Sequence, residues 1–219
     1  MIPRLKTTIE IIIGLAIIVG GGLWLMQKPR QVAVSPTPTV SVDTTDWKTY
    51  QNEYYSFKYP PTLSVMVRDY SVTLMHSVPY YHSDPCNVRY GGYINDLVDF
   101  SASLQLLNLN LKDSVKDNDN FLLKYFKGDD LELKPDYIDE FSVGSLKGYS
   151  IFDAVEGCGE IIYYFPLSQD YTLRVTQSVT AIIEAGRGVD LPHRFPDIIL
   201  PEQQNRFFEG ILSSFQLIK

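Results

Sequence analysis

The chain has two cysteines, which could form a disulfide or contribute to a metal site. Cys86 follows His82 and Asp84 at alternate positions, and Cys158 lies between two glycines. Because the apolar run at residues 9–26 predicts export of the chain beyond it, an even pair of cysteines indicates a disulfide first. A Cys86–Cys158 bridge would close a loop of about 70 residues and stabilise the fold by roughly 4 kcal/mol in the chain-entropy model. We therefore predict this disulfide.

The same region allows a second interpretation, a metal site. His82, Asp84 and Cys86 offer nitrogen, oxygen and sulfur ligands of the kinds that zinc prefers. One of three further residues would complete such a site: His76, Cys158 or His193. Their spacing matches no zinc finger and no HExxH helix, and no Gly-x-Ser-x-Gly turn supplies a nucleophile. A metal-dependent or hydrolytic cell-envelope enzyme using the His82, Asp84 and Cys86 loop is thus the alternative function, whereas our main prediction includes no catalytic residue, metal or cofactor.

Aromatic residues concentrate at residues 78–95, which we interpret as a long loop that turns at Gly91 and Gly92. Tyrosine and arginine are the side chains that most often anchor binding interfaces. The residues predicted to contact a protein or glycan partner in the cell envelope are Tyr80, Tyr81, His82, Arg89, Tyr90 and Tyr93. The alternative is that these tyrosines lie flat on the domain and only pack against it.

Residues 9–26 are almost entirely apolar, with basic residues on both sides. About 20 apolar residues are needed to cross a bilayer as a helix, so we predict a transmembrane anchor preceded by a short cytoplasmic tail, residues 1–8. A cleaved signal peptide would have a shorter apolar core and small residues at the cut, which LWLMQKPRQ lacks. A pilin-like envelope subunit is a further alternative, because KTTIEIIIGLAII resembles a pilin start, although Leu5 stands where pilins have a small residue.

The part after the anchor divides into a spacer and one domain. Residues 27–45 form a stalk rich in Ser, Thr and Pro, a composition that favours extended chain over a packed core. Residues 46–219 are predicted to form a single extracytoplasmic domain. The chain has 19 basic and 26 acidic residues, a net charge of −7, and no basic stripe, which excludes nucleic acid as a partner. The predicted location is the cell membrane, with a single span, a cytoplasmic amino terminus and the domain outside.

Alternating apolar and polar residues predict strands at residues 54–60, 63–67, 98–106 and 171–177. Residues 160–165 are apolar on both faces, which is typical of a central strand covered on each side. Helices are predicted at about residues 112–126 and from Pro201, a favourable first-turn residue, before a short last strand. The predicted fold class is α+β: an antiparallel β-sheet with helices packed on it, preceded by a single transmembrane helix.

The opening of the domain, WKTYQNEYYSFKYPPTL, is similar to the spaced Trp, Tyr, Asn, Phe and Tyr-Pro with which many PsbP/Mog1-like domains begin. The closing helix and ILSSFQLI resemble the end of the same fold. The chain also resembles uncharacterised single-pass membrane-anchored proteins of small-genome bacteria. These share a DPC and a GCG motif, here Asp84-Pro85-Cys86 and Gly157-Cys158-Gly159. The resemblance implies a non-catalytic binding or assembly module of unknown ligand and carries over no catalytic residue.

Overall fold

A seven-stranded antiparallel sheet organises the protein, for which a computed structural model describes residues 43–84, 86, 92–155, 158–179 and 191–218. These residues belong to the compact unit Val42–Lys219. The predicted tail, the predicted anchor at residues 9–26 and the stalk up to residue 42 lie outside the described residues. Within the described ranges, no helix is long and apolar enough to cross a membrane.

The described strands form three sheets. In chain order they are β1 (Lys48–Gln51), β2 (Tyr55–Tyr59), β3 (Ser64–Arg68), β4 (Ser71–Ser83), β5 (Tyr93–Leu107), β6 (Phe126–Lys127), β7 (Asp130–Leu131), β8 (Ile138–Val143), β9 (Leu146–Val155), β10 (Cys158–Pro166), β11 (Thr172–Val179) and β12 (Gln216–Leu217). The large sheet has the order β3-β4-β5-β11-β10-β9-β8, the small one β1-β2-β12, and β6 pairs with β7. The helices are α1 (Leu111–Asn118), a 3₁₀ helix (Asn120–Tyr125), α2 (Leu191–Arg194) and α3 (Pro201–Ser213).

The predicted α+β class is wrong, because the structure is mostly β-sheet, with 52% of it in strands and 19% in helices. The missed strands include β4, β8 and β9. Pro79 in β4 and the adjacent Asp139 and Glu140 in β8 weaken the alternation, and the sequence of β9, LKGYSIFDAV, does not alternate regularly. The helix predicted at about residues 112–126 is shorter than expected. Asp119 has an extended backbone and its side chain accepts a hydrogen bond from the N–H of Phe121, so α1 ends there and a 3₁₀ turn begins.

The core lies on both faces of the large sheet, and β10 contributes to each. Tyr163 and Phe165 face the larger cluster, which includes α3 and the small sheet. Ile162 and Tyr164 face the opposite cluster, which lies beneath α1 and the 3₁₀ helix. This arrangement confirms the prediction of a central strand covered on both faces, since alternate side chains of a strand point to opposite sides.

Helix α3 begins at Pro201, as predicted. The N–H of Leu200 donates to the side-chain oxygen of Gln203 at 3.0 Å, which satisfies a donor at the start of the helix. Phe208, Ile211 and Leu212 are almost fully buried against the large sheet. Burying each of these side chains contributes about 1.5–3 kcal/mol, so the helix holds the residues just before it firmly against the sheet.

Candidate functional site on the arm of strands β4 and β5

Half of the segment predicted as a long loop at residues 78–95 is strand. β4 continues to Ser83 and β5 begins at Tyr93, so residues 84–92 form the connection. β5 pairs with β11 only between Ala102 and Leu107. Residues 76–83 and 93–100 therefore form a two-stranded extension of the sheet, which we call the arm. The predicted loop is too long, because Pro79 and the consecutive residues Tyr80 and Tyr81 interrupt the apolar–polar alternation that identifies strands in a sequence.

The first register shift lies at the base of the arm. His76 pairs with Phe100 and Ser77 pairs with Val98, which leaves Asp99 as an extra residue in β5. Such a bulge redirects a side chain that regular alternation would send to the other face. The sequence pattern placed Asp99 on the outward, solvated face. The structure corrects this prediction, because Asp99 is fully buried.

The buried carboxylate of Asp99 connects the arm to the segment before α3. Its Oδ1 lies 2.6 Å from Nδ1 of His76, and its Oδ2 accepts a hydrogen bond from the N–H of Ile199 at 2.7 Å. The side-chain amide of Gln204 donates to the main-chain oxygen of Asp99. A buried carboxylate that is hydrogen-bonded in this way is stable only while all its partners stay in place.

A His–Asp pair of this kind orients an imidazole in hydrolases, where a hydroxyl or thiol lies at the other ring nitrogen. In the part of the chain that the structure describes, no hydrogen bond joins His76 to a serine, threonine or cysteine side chain. The described contacts of His76 and Asp99 therefore support a structural role at the base of the arm. Sequence analysis missed this pair, and its only signal was one carboxylate in a strand otherwise lined with serine and glutamine.

One side of the arm is covered by the residues after α2. Val78 and Leu97 form a small buried cluster with Ile198, and Tyr80 packs against it. The rings of Tyr80 and Phe195 are in an edge-type contact, with centroids 5.4 Å apart and planes inclined by 63°. Tyr80 was predicted to contact a partner, but it is half-buried by these internal contacts.

His82, another predicted contact residue, is also occupied within the domain. Only 7% of it is exposed, and its ring stacks on Tyr80 at 5.2 Å. Nδ1 lies 2.7 Å from the carbonyl oxygen of Ser83, so the proton on Nδ1 is donated there. The ring of His82 is therefore packed inside the domain and does not form part of its surface.

Tyr81 and Tyr93 are the predicted contact residues that the structure brings together at the surface. Their exposed fractions are 67% and 64%, and their rings stack with centroids 5.0 Å apart and planes within 10° of parallel. Consecutive side chains of a strand point to opposite faces, and the two tyrosines accordingly have different neighbours: Tyr80 packs against Phe195 and Tyr81 stacks on Tyr93. Arg89 and Tyr90, also predicted here, lie outside the described residues.

The predicted disulfide is confirmed. Cys86 is bonded to Cys158 with a Cα–Cα distance of 5.4 Å, inside the usual range for a bridge. Asp84 fixes the backbone next to Cys86 with two hydrogen bonds, both of 2.9 Å. Its N–H donates to the carbonyl oxygen of Gly92, and its carboxylate accepts from the N–H of Cys86. Cys158 begins β10, so the bridge fastens the end of the arm to the central part of the large sheet.

The disulfide also bears on the metal alternative. The sulfur of Cys86 is part of the disulfide and supplies no thiolate. Of the three proposed metal ligands His82, Asp84 and Cys86, the cysteine is therefore not available. Among the residues that the structure covers, no three His, Cys, Asp or Glu side chains are grouped to hold a metal ion. His193 lies exposed on α2.

Comparison with protein-family models and with curated protein sequences finds no match for this chain. The resemblance to PsbP/Mog1-like domains therefore stays a prediction.

Proposed function

We propose that this protein is a non-catalytic binding module of the cell envelope, which contacts its partner through Tyr81 and Tyr93. The observation that carries the proposal is the exposed, parallel pair of tyrosine rings on the arm. Tyrosine is enriched at binding hot spots because it offers a large rigid ring with a polar tip and only two side-chain torsions to fix. Two such rings, each about two-thirds exposed, form a ready contact surface.

The construction of the arm supports the same proposal. Tyr93 begins a strand whose ladder with β4 continues to the base of the arm. The arm is held at its end by the disulfide and at its base by Asp99. Binding to a surface that is already ordered avoids the entropy loss of fixing a mobile loop. The internal contacts of Tyr80 and His82 serve this rigidity, whereas Tyr81 and Tyr93 stay accessible.

The proposed location of the module is the outer side of a membrane. The apolar run at residues 9–26 would act as a single-span anchor, and residues 27–45 would act as a stalk between membrane and domain. The disulfide agrees with an oxidising compartment, where such bonds persist. A tethered domain with a rigid, aromatic contact surface is suited to hold a partner near the membrane.

Site-specific photo-crosslinking in the cells that produce the protein tests the proposal. p-Benzoylphenylalanine replaces Tyr81, Tyr93 or, as the matched control, Tyr70, which is 81% exposed in the turn between β3 and β4. Tyr81 lies in β4, eleven positions after Tyr70, a distance of roughly 36 Å at the rise of an extended strand. We expect a discrete adduct from positions 81 and 93 and none of that size from position 70. The same adduct from all three positions, or none from 81 and 93, would contradict the proposal.

A further inference from the structure

We infer that the partner places a lysine or arginine side chain on the free face of Tyr81 or Tyr93, so that the ligand is a basic segment of a protein. This inference rests on the proposed function and names the chemical class of the partner. Because the two rings are stacked, one face of each is turned toward the other ring. The remaining faces carry the negative quadrupole charge of an aromatic ring, which attracts a cation held within about 6 Å of the centroid.

The net charge of the protein favours a cationic ligand. The whole chain carries a net charge of −7. Neither β4 nor β5 contains a lysine or arginine that would repel a cation. A net negative charge increases the association rate of basic partners and repels anionic ones, so a polyanion is disfavoured here.

The protein already uses this interaction next to the proposed site. The guanidinium of Arg194 lies 5.3 Å from the ring centroid of Tyr80, the residue before Tyr81. The cation beside the ring of Tyr80 therefore comes from the domain itself and not from a partner. Among the described residues, no lysine or arginine makes such a contact with the ring of Tyr81 or Tyr93. Tyr80 thus already has an arginine side chain beside its ring. The neighbouring exposed rings of Tyr81 and Tyr93 are the ones that would accept a lysine or arginine of the partner.

Binding of short labelled peptides to the full-length protein in detergent micelles tests this inference by fluorescence anisotropy. The probe is a Gly-Arg repeat, and the comparison peptides replace every arginine by lysine, serine or aspartate. We expect the arginine and lysine peptides to bind and the serine and aspartate peptides not to bind. The variants Tyr81→Ala and Tyr93→Ala should each weaken binding about two- to fivefold, the range expected for an exposed cation–ring contact.

Two controls separate the rings from the general charge of the protein. Tyr70→Ala should leave the affinity unchanged, because it removes an even more exposed tyrosine that lies far from the arm. Tyr81→Phe should bind nearly as well as the parent, since phenylalanine keeps the ring face that a cation contacts. Attraction by net charge alone would instead give equal affinities for Tyr81→Ala, Tyr70→Ala and the parent, and that result would overturn the inference.

A neutral oligosaccharide is tested in parallel, because sugars also stack on tyrosine rings. Binding of chitohexaose that depends on Tyr81 and Tyr93, with no binding of the arginine peptide, would reject a basic partner. In that case the crosslinks from positions 81 and 93 would persist, and the site itself would stand. Loss of those crosslinks would reject the proposed function, whichever probe binds.

Discussion

The carboxylate of Asp99 lies 2.6 Å from Nδ1 of His76, at the point where β5 has one residue more than β4. The bulge turns Asp99 inward, and the same carboxylate receives the N–H of Ile199, 100 residues further along the chain. One side chain therefore joins the base of the arm to the start of the last helix. The position of the exposed tyrosines relative to the domain depends on this junction.

We expect Asp99→Asn to lower the free energy of unfolding by about 1–3 kcal/mol. The amide keeps the shape of the carboxylate but satisfies the buried partners of Asp99 less well, and a buried group without its partner costs about that much. Urea denaturation of the parent and the variant measures the change. Asp96→Asn, on the same strand but exposed, is the matched control and should shift stability by less than about 0.5 kcal/mol. Equal stability of Asp99→Asn and the parent would show that the junction contributes little.

We expect Cys158→Ser to destabilise the domain by roughly 2–5 kcal/mol, because the bridge restricts a separation of 72 residues in the unfolded chain. Thermal unfolding of the parent and the variant measures the loss. The double variant Cys86→Ser/Cys158→Ser should match either single variant, since each removes the same bond. A melting temperature that does not respond to either substitution, or to a reductant, would contradict this prediction.

Tyr80→Ala and Tyr81→Ala should differ in stability although the two residues are adjacent. Tyr80 packs on Phe195 and His82, so its removal should destabilise the domain by at least about 1 kcal/mol. Tyr81 is 67% exposed, and its removal should change stability by less than about 0.5 kcal/mol. Urea denaturation distinguishes the two variants. A large loss for Tyr81→Ala would assign that ring to packing and remove it from the proposed site.

We expect the protein to lose stability at high pH, because three of its core tyrosines have raised pKa values. Burial raises the pKa of Tyr55, Tyr163 and Tyr164 to about 12 each, and for Tyr164 the nearby charge of Arg174 offsets part of that rise. In the unfolded chain a tyrosine has a pKa near 10. The folded state therefore holds these protons more tightly, so its stability is complete below about pH 10 and falls as the pH rises toward 12.

Denaturation midpoints measured between about pH 9 and 12 check this prediction. Tyr55→Phe is the informative variant, because the hydroxyl of Tyr55 is buried and its removal leaves the rest of the ring in place. Removing the hydroxyl should make the loss of stability with pH less steep, since one raised pKa disappears. A midpoint that does not change over this range would mean that the buried tyrosines titrate as they do in the unfolded chain.

Several features of the domain were predictable from the sequence because their determinants are local. Strands β2, β3 and β11 lie where period-two patterns predict them, since a strand with one buried face is apolar at every second residue. The central strand β10 lies where a run that is apolar on both faces predicts a covered strand. Helix α3 begins at the proline that marks it. The pairing of Cys86 with Cys158 was predictable because the chain has two cysteines, and it needed no knowledge of the fold.

The arm and its contact surface were decided only by the tertiary structure. A bulge depends on how two strands come into register, and neither Asp99 nor its partner Ile199 carries a local signal of their contact. The same holds for the tyrosines: the sequence identified Tyr80, Tyr81 and Tyr93 as equivalent, yet Tyr80 packs against Phe195 inside the domain and the other two stay exposed. Side-chain type is a property of the sequence, whereas the surroundings of a side chain depend on pairing between distant segments. That pairing makes two strands of residues that the sequence predicted as part of a loop.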